Sequence, residues 1–169
     1  MAIALLIARL IVGLGVAAHG SQKLFGWFGG YGVRGTGGYM ETLGYRPGHV
    51  FAFLAGCGEL VGGLLIALGL FGPIGPALLI LVMIVAIGSV HWPNGFFNTA
   101  NGYELPLTNI AAALLFAFEG FGAWSLDAAF GTAPHWGPGG IWIVVGIAIV
   151  LGFGNLAMRH RAGQATAAA

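Results

Sequence analysis

Charge is what this 169-residue sequence has least of: six Lys or Arg and five Asp or Glu, 7% of the chain, set among 58% hydrophobic residues. Neither sign clusters, so there is no basic stripe to neutralise phosphates, and nucleic acid is excluded as a partner. Cysteine occurs once, at Cys57, which excludes an intrachain disulfide, a CxxC redox pair and a cysteine-built metal cage. No GxGxxG follows a strand, and there is no Walker lysine and no nucleophile elbow, so nucleotide chemistry within the chain is excluded as well. No basic residue precedes the first apolar run and no A-x-A site follows it, so Met1 to Ala18 reads as a retained anchor rather than a cleaved signal. What is present is more apolar surface than a soluble core of this size can bury. The chain is expected to dissolve in lipid.

A spanning helix needs about 20 mainly apolar residues. Five runs approach that length: Ala2 to Ala18, Val50 to Phe71, Ile74 to Val90, Leu105 to Phe121 and Gly140 to Leu156. Pro73 and Pro76 leave only a tight turn between the second and third runs, which makes those helices antiparallel neighbours. The glycine-rich segment Gly20 to Gly48 carries Lys23, Arg34, Glu41 and Arg46 and is too polar to span. Within it, Thr36 to Gly44 is predicted as a short interfacial helix, with Tyr39, Met40 and Leu43 on one side and Glu41 on the other. A second polar loop, His91 to Glu104, holds Trp92, Asn94, Asn98, Asn101 and Tyr103. Counting spans puts both loops on one face. With five spans, Lys23, Arg34, Arg46, Arg159 and Arg161 share that face, so the positive-inside rule predicts the N-terminus outside and the C-terminus in the cytoplasm. Trp27, Trp92, Trp124 and Trp136 fall near span ends, as interfacial anchors do. Gly58 and Gly62 offer a small-xxx-small face on the second helix.

Six segments arrive in order: His19-Gly-x-x-Lys23-Leu-Phe-Gly-Trp-Phe-Gly-Gly, Gly35-Thr36, Met40-Glu41-x-Leu-Gly, Glu59-Leu-x-Gly-Gly, His91-Trp-Pro-Asn-Gly-Phe and Gly102-Tyr-Glu104. Taken together they resemble the DoxX family of small bacterial membrane proteins, over about Arg9 to Asp127. The resemblance implies an all-α, four-helix membrane bundle in the bacterial inner membrane, associated with oxidoreductase complexes and, through them, with quinone. The fifth apolar run departs from that pattern. Residues 1–131 are therefore expected to form the DoxX-like bundle, and 132–169 an additional transmembrane helix with a short basic tail.

Depth arithmetic at 1.5 Å per helical residue places Glu59 about 14 Å below the loop-bearing face, near the middle of a core about 30 Å thick. Arg9 and Glu119 both come out at about 10 Å from the opposite face. Intramembrane charge seeks a partner, so an Arg9–Glu119 ion pair is the first expectation and an Arg9–Glu59 pair the rival. If the first pair forms, Glu59 has no cation at its depth. It is then expected to be a neutral acid that either donates a hydrogen bond to a ligand carbonyl or bonds to a neighbouring helix.

At the loop-bearing face, His19 closes the first helix and His91 the third, with Lys23 one helical turn beyond His19, below Glu41, Asn94, Tyr103 and Glu104 from the loops. With Glu59 beneath them these residues form the candidate ligand site, suited to a polar head group or a proton. The same residues also suit plain interfacial hydrogen bonding to loop backbone. The histidines lack a fixed H-x-x-x-H spacing, which argues against a metal site. Neither lies at mid-depth, which argues against haem. Two functions lead, a membrane subunit offering a quinone- or lipid-like site to a redox complex and a non-catalytic assembly or scaffold subunit, ahead of a transporter or channel, which inverted repeats or broken helices would support and the sequence does not display. The expected partners are the lipid bilayer and other membrane or redox subunits.

Overall fold

A computed structural model describes residues 2–132 and 136–160, and among them every regular element is helical. Helix α1 is Ala2–Phe25, α2 Gly32–Thr42, α3 Gly48–Leu68, α4 Ile74–Ala86, α5 Glu104–Glu119, α6 Leu126–Ala129 and α7 Pro138–Ala157. Helix α4 runs on through a π turn, Ile87–His91, and a 3-10 turn, Trp92–Asn94. Four of these, Ala2–Phe25, Gly48–Leu68, Ile74–Asn94 and Pro138–Ala157, are long and apolar enough to cross a membrane. The fifth apolar run of the sequence thus lies in α7, while the fourth forms α5, whose 16 residues reach about 24 Å, short of a full span. Gly120, at φ 74°, stops it in a conformation few other residues adopt.

Two elements differ from the sequence reading in extent. Helix α1 continues seven residues past Ala18 to Phe25, which puts Lys23 on a helix wall instead of in a loop. Helix α2 begins at Gly32, a turn before Thr36, and buries Met40 while leaving Tyr39 half exposed. Its glycines serve close approach: a Cβ on Gly37 would lie 2.9 Å from His49 Cα.

Helix α3 is the centre of the bundle, touching α1, α2 and α4, and α4 in turn carries α5 and α7. Glycines set these distances. A Cβ on Gly13 would lie 2.6 Å from the Gly63 carbonyl oxygen, and one on Gly20 would lie 2.7 Å from that of Gly56, so α1 and α3 touch backbone to backbone along antiparallel seven-residue repeats. The Gly58 and Gly62 face instead meets Val82 and Leu78 of α4. In lipid, where apolar side chains gain little by leaving the solvent, such close backbone contact is a main source of helix association.

At the face opposite the polar loops, Asp127 ties the α3–α4 turn. Its carboxylate accepts the amide protons of Phe71 at 3.0 Å and Gly72 at 2.8 Å, while its own amide donates to the Gly69 carbonyl at 3.0 Å. Nearby, Arg9 is buried and donates through Nη2 to the Trp124 carbonyl. The Arg9–Glu119 pair expected from depth is not formed, nor is its rival with Glu59. Among the described residues the ion pair is Lys23–Glu59. Equal depth does not bring residues together laterally: Glu119 is exposed at the end of α5, which packs chiefly on α4.

Candidate functional site

Below the polar loops lies a cavity of about 240 Å³ walled by α1, α2, α3, the π end of α4 and the last turn of α7. Most of its lining is apolar, including Met40, Phe51, Leu81, Val82 and Val85. Tyr39 and Leu54, about half exposed, frame its edge. Pockets for drug-sized ligands measure roughly 300–1,000 Å³, so this smaller space suits one ring or a compact head group whose tail leaves toward the lipid.

The polar pole of the cavity is built around Glu59. It sits on the fourth turn of α3, 4% exposed, and its Oε1 accepts from Lys23 Nζ. Lys23 reaches it because α1 runs beside α3 with the lysine's Cβ at the level of Gly56, one turn above the acid. The second oxygen, Oε2, is buried and has no hydrogen-bond partner. Buried polar atoms are rarely left so. Two more unpartnered buried atoms belong to residues lining the same cavity: Tyr45 Oη and Asn155 Oδ1.

Tyr45 and Asn155 come from places the sequence did not single out. Tyr45 lies in the turn between α2 and α3, fully buried with its ring 4.8 Å from that of Phe51. Burial pushes its phenol above the ordinary tyrosine range, against smaller opposing effects of the Arg159 charge and the Ser89 hydroxyl. Ser89 itself, within the π turn, donates back to the Val85 carbonyl of α4, and π turns recur at functional sites.

The C-terminal end of α7 is fastened over this region. Arg159 donates through Nε to the Leu43 carbonyl at 3.0 Å and through Nη1 to the Gly88 carbonyl at 2.9 Å, with its guanidinium 5.8 Å from the Tyr45 ring centroid. The His160 amide donates to the Gly44 carbonyl at 2.8 Å. These bonds place the end of α7 on the same face as α2. In the Arg159→Ala variant, amide exchange over residues 43–45 and 88–91 is expected to accelerate about tenfold or more, the worth of a hydrogen bond from a charged donor. Unchanged exchange there would mean that the latch holds nothing.

The other candidate residues are satisfied by their own neighbours at this face. His19 is exposed and bonds through Nδ1 to Gln22 Oε1 at 3.0 Å. Glu41 is exposed and accepts the Gly48 amide proton at 3.2 Å, capping α3. Glu104 accepts from the Asn98 amide at 2.9 Å, Asn94 Nδ2 reaches the carbonyls of Val90 and Asn101, and Tyr103 stacks on Trp92 at 5.3 Å. His91 bridges the two groups, lining the cavity while its Nδ1 lies 2.8 Å from the Asn101 carbonyl. Lys23, Glu59 and His91 are thus the candidates brought to the cavity. Among the described residues no three His, Cys, Asp or Glu side chains converge as a metal site would require.

Comparison with known proteins gives a consistent relationship. The DoxX family model matches residues 4–92. A Haemophilus influenzae protein described as uncharacterized is 34% identical over 125 residues, covering 72% of this chain and 87% of that one. A protein of Mycobacterium tuberculosis described as an uncharacterized membrane protein is 30% identical over 129 residues, 70% of this chain and 76% of the relative. No solved structure matches the chain.

Proposed function

The chain belongs to the DoxX family of membrane proteins, and on that premise we propose that it is a membrane subunit binding a quinone-like lipid in the cavity beneath its polar loops. The observation that carries this reading is the Lys23–Glu59 pair, with the Glu59 carboxylate buried and its Oε2 unpartnered, on the wall of a mostly apolar cavity. A ring bearing oxygen substituents meets both halves of such a site, and an isoprenoid tail suits the lipid around it. The redox association rests on the family resemblance. Photoaffinity labelling with an azido-quinone in native membranes tests the site: labelled peptides are expected from α3 and from residues 81–91, with loss of labelling when Ala55→Trp fills the cavity. Labelling spread evenly over lipid-facing helices, and insensitive to that substitution, would refute it.

A second reading, an assembly subunit, has one observation in its favour. Helix α7 keeps an open outer face on which Gly146 and Gly154 meet nothing and Trp142, Ile143 and Val150 are exposed. The α3 glycines lend it no support, because Gly58 and Gly62 are used within the chain.

The proposed location is the bacterial inner membrane with the loop-bearing face in the cytoplasm. Lys23, Arg34, Arg46 and Arg159 support it by the positive-inside rule, as does Arg161, which lies outside the described residues. A reporter fused after Arg161 should be active only as a cytoplasmic fusion. Periplasmic activity would reverse the orientation.

A further inference from the structure

The free hydrogen-bonding atoms around the cavity are unequal in what they ask of a ligand. Lys23 and Tyr45 can donate, and an oxygen of a quinone or of its dihydroxy form can accept from them. They do not discriminate between the two. Glu59 does. With Lys23 on Oε1 it is one half of an ion pair, and an ionised carboxylate only accepts. Its Oε2, buried and without a partner, therefore asks the ligand for a proton donor. A quinone carbonyl placed there would set lone pair against lone pair and leave the oxygen unsatisfied, at the cost any buried unpaired charge-bearing atom carries. A hydroxyl placed there makes a charge-assisted hydrogen bond.

Two further groups lean the same way. Asn155 lines the cavity with Oδ1 buried and unpartnered. The Asn101 carbonyl can only accept, so its contact with His91 puts a ring proton on Nδ1, and in the neutral form of the ring Nε2 then offers a lone pair. The expectation from sequence is conditional on Glu59 having no cation at its depth, and Lys23 supplies one.

We infer that the cavity selects a head group bringing hydrogen-bond donors, which for a quinone-like lipid means the reduced, dihydroxy form. The inference rests on the proposed ligand class but adds a preference which that class alone does not give. Tighter binding of the reduced form also raises the two-electron potential of the bound couple, by about 30 mV for each tenfold of preference.

The test uses the full chain in lipid nanodiscs under anaerobic conditions, with decyl-benzoquinone and its hydroquinone as probes and quenching of tryptophan fluorescence as the readout. The hydroquinone is expected to bind about tenfold or more tightly, the worth of one hydrogen bond to a charged group. Glu59→Gln, which can donate as well as accept, should bring the two forms near parity. A wild-type protein that bound both forms equally, or the quinone more tightly, would overturn the inference while leaving the ligand site standing. Binding of neither form, or equal binding of both to the cavity-filled Ala55→Trp variant, would overturn the inference and the proposed function together. Should Glu59→Gln fail to fold, the wild-type ratio and the shift of the bound probe's potential still decide the matter.

Discussion

Replacing Lys23 by methionine is expected to destabilise the bundle by about 3 kcal/mol, because it leaves the Glu59 carboxylate buried without its cation. The figure is at the lower end for a broken buried pair, since the Lys23 side chain is 28% exposed and Glu59 keeps a path to water along it. Glu59→Gln alone should cost less, because the lysine stem is long enough to carry its ammonium to the interface. Combining Lys23→Met with Glu59→Gln should recover part of the loss, since no unpaired charge then remains inside. The three variants can be compared by titration with sodium dodecyl sulfate in mixed micelles. Strictly additive shifts would mean that the two side chains do not meet.

The second large effect concerns the seam between α1 and α3. In Gly13→Ala the new methyl would lie 2.5 Å from the Ala67 amide nitrogen and 2.6 Å from the Gly63 carbonyl oxygen, and backbone atoms of two helices cannot step aside as a side-chain end can. The helices must separate, at about 1–3 kcal/mol for one methyl in a closely packed contact. Gly63→Leu should prevent the seam from forming at all, because its Cβ would already press on Gly13 and Ala17. The control lies one half-turn away. Gly15 faces open space, so Gly15→Ala should be neutral or slightly stabilising through its better helix propensity. Equal effects at Gly13 and Gly15 would dissolve the argument that glycine sets the α1–α3 distance. Loss of that distance would also disturb the cavity, since Lys23 meets Glu59 only because the two helices run this close.

The apolar runs, the two polar loops and the place of Glu59 near the middle of its helix were all legible in the sequence, because hydropathy and helical rise act along one dimension. The partner of Glu59 was not. Depth arithmetic compares heights and says nothing about which helices are neighbours, so it favoured Arg9 with Glu119, on helices that barely touch. The lateral order is decided by glycine faces. Gly13 and Gly20 on α1 answer Gly63 and Gly56 on α3, but with 32 glycines in the chain no single spacing stands out. Lys23 was misplaced for a second reason: Gly20 marked the end of the first apolar run, whereas buried against α3 it is an interior residue of α1. Asn155, Arg159 and Tyr45 carried no signal of their own. An asparagine near the end of an apolar run and an arginine in a basic tail look like boundary residues, and only the return of α7 to the α2 face makes them part of a site. The loop residues Glu41, Asn94 and Glu104 were visible as polar groups near the mouth, but sequence could not distinguish groups that face a ligand from groups that close their own loop.

The account turns on what occupies the cavity between Lys23, Glu59, Tyr45 and Asn155. The most direct measurement is mass spectrometry of the lipids that remain bound when the full chain is purified in mild detergent, made in parallel on the wild type and on Ala55→Trp. The account predicts about one quinone-class molecule per wild-type chain, depleted in the filled variant while bulk phospholipid is unchanged. Phospholipid alone, retained to the same extent by both proteins, would contradict it.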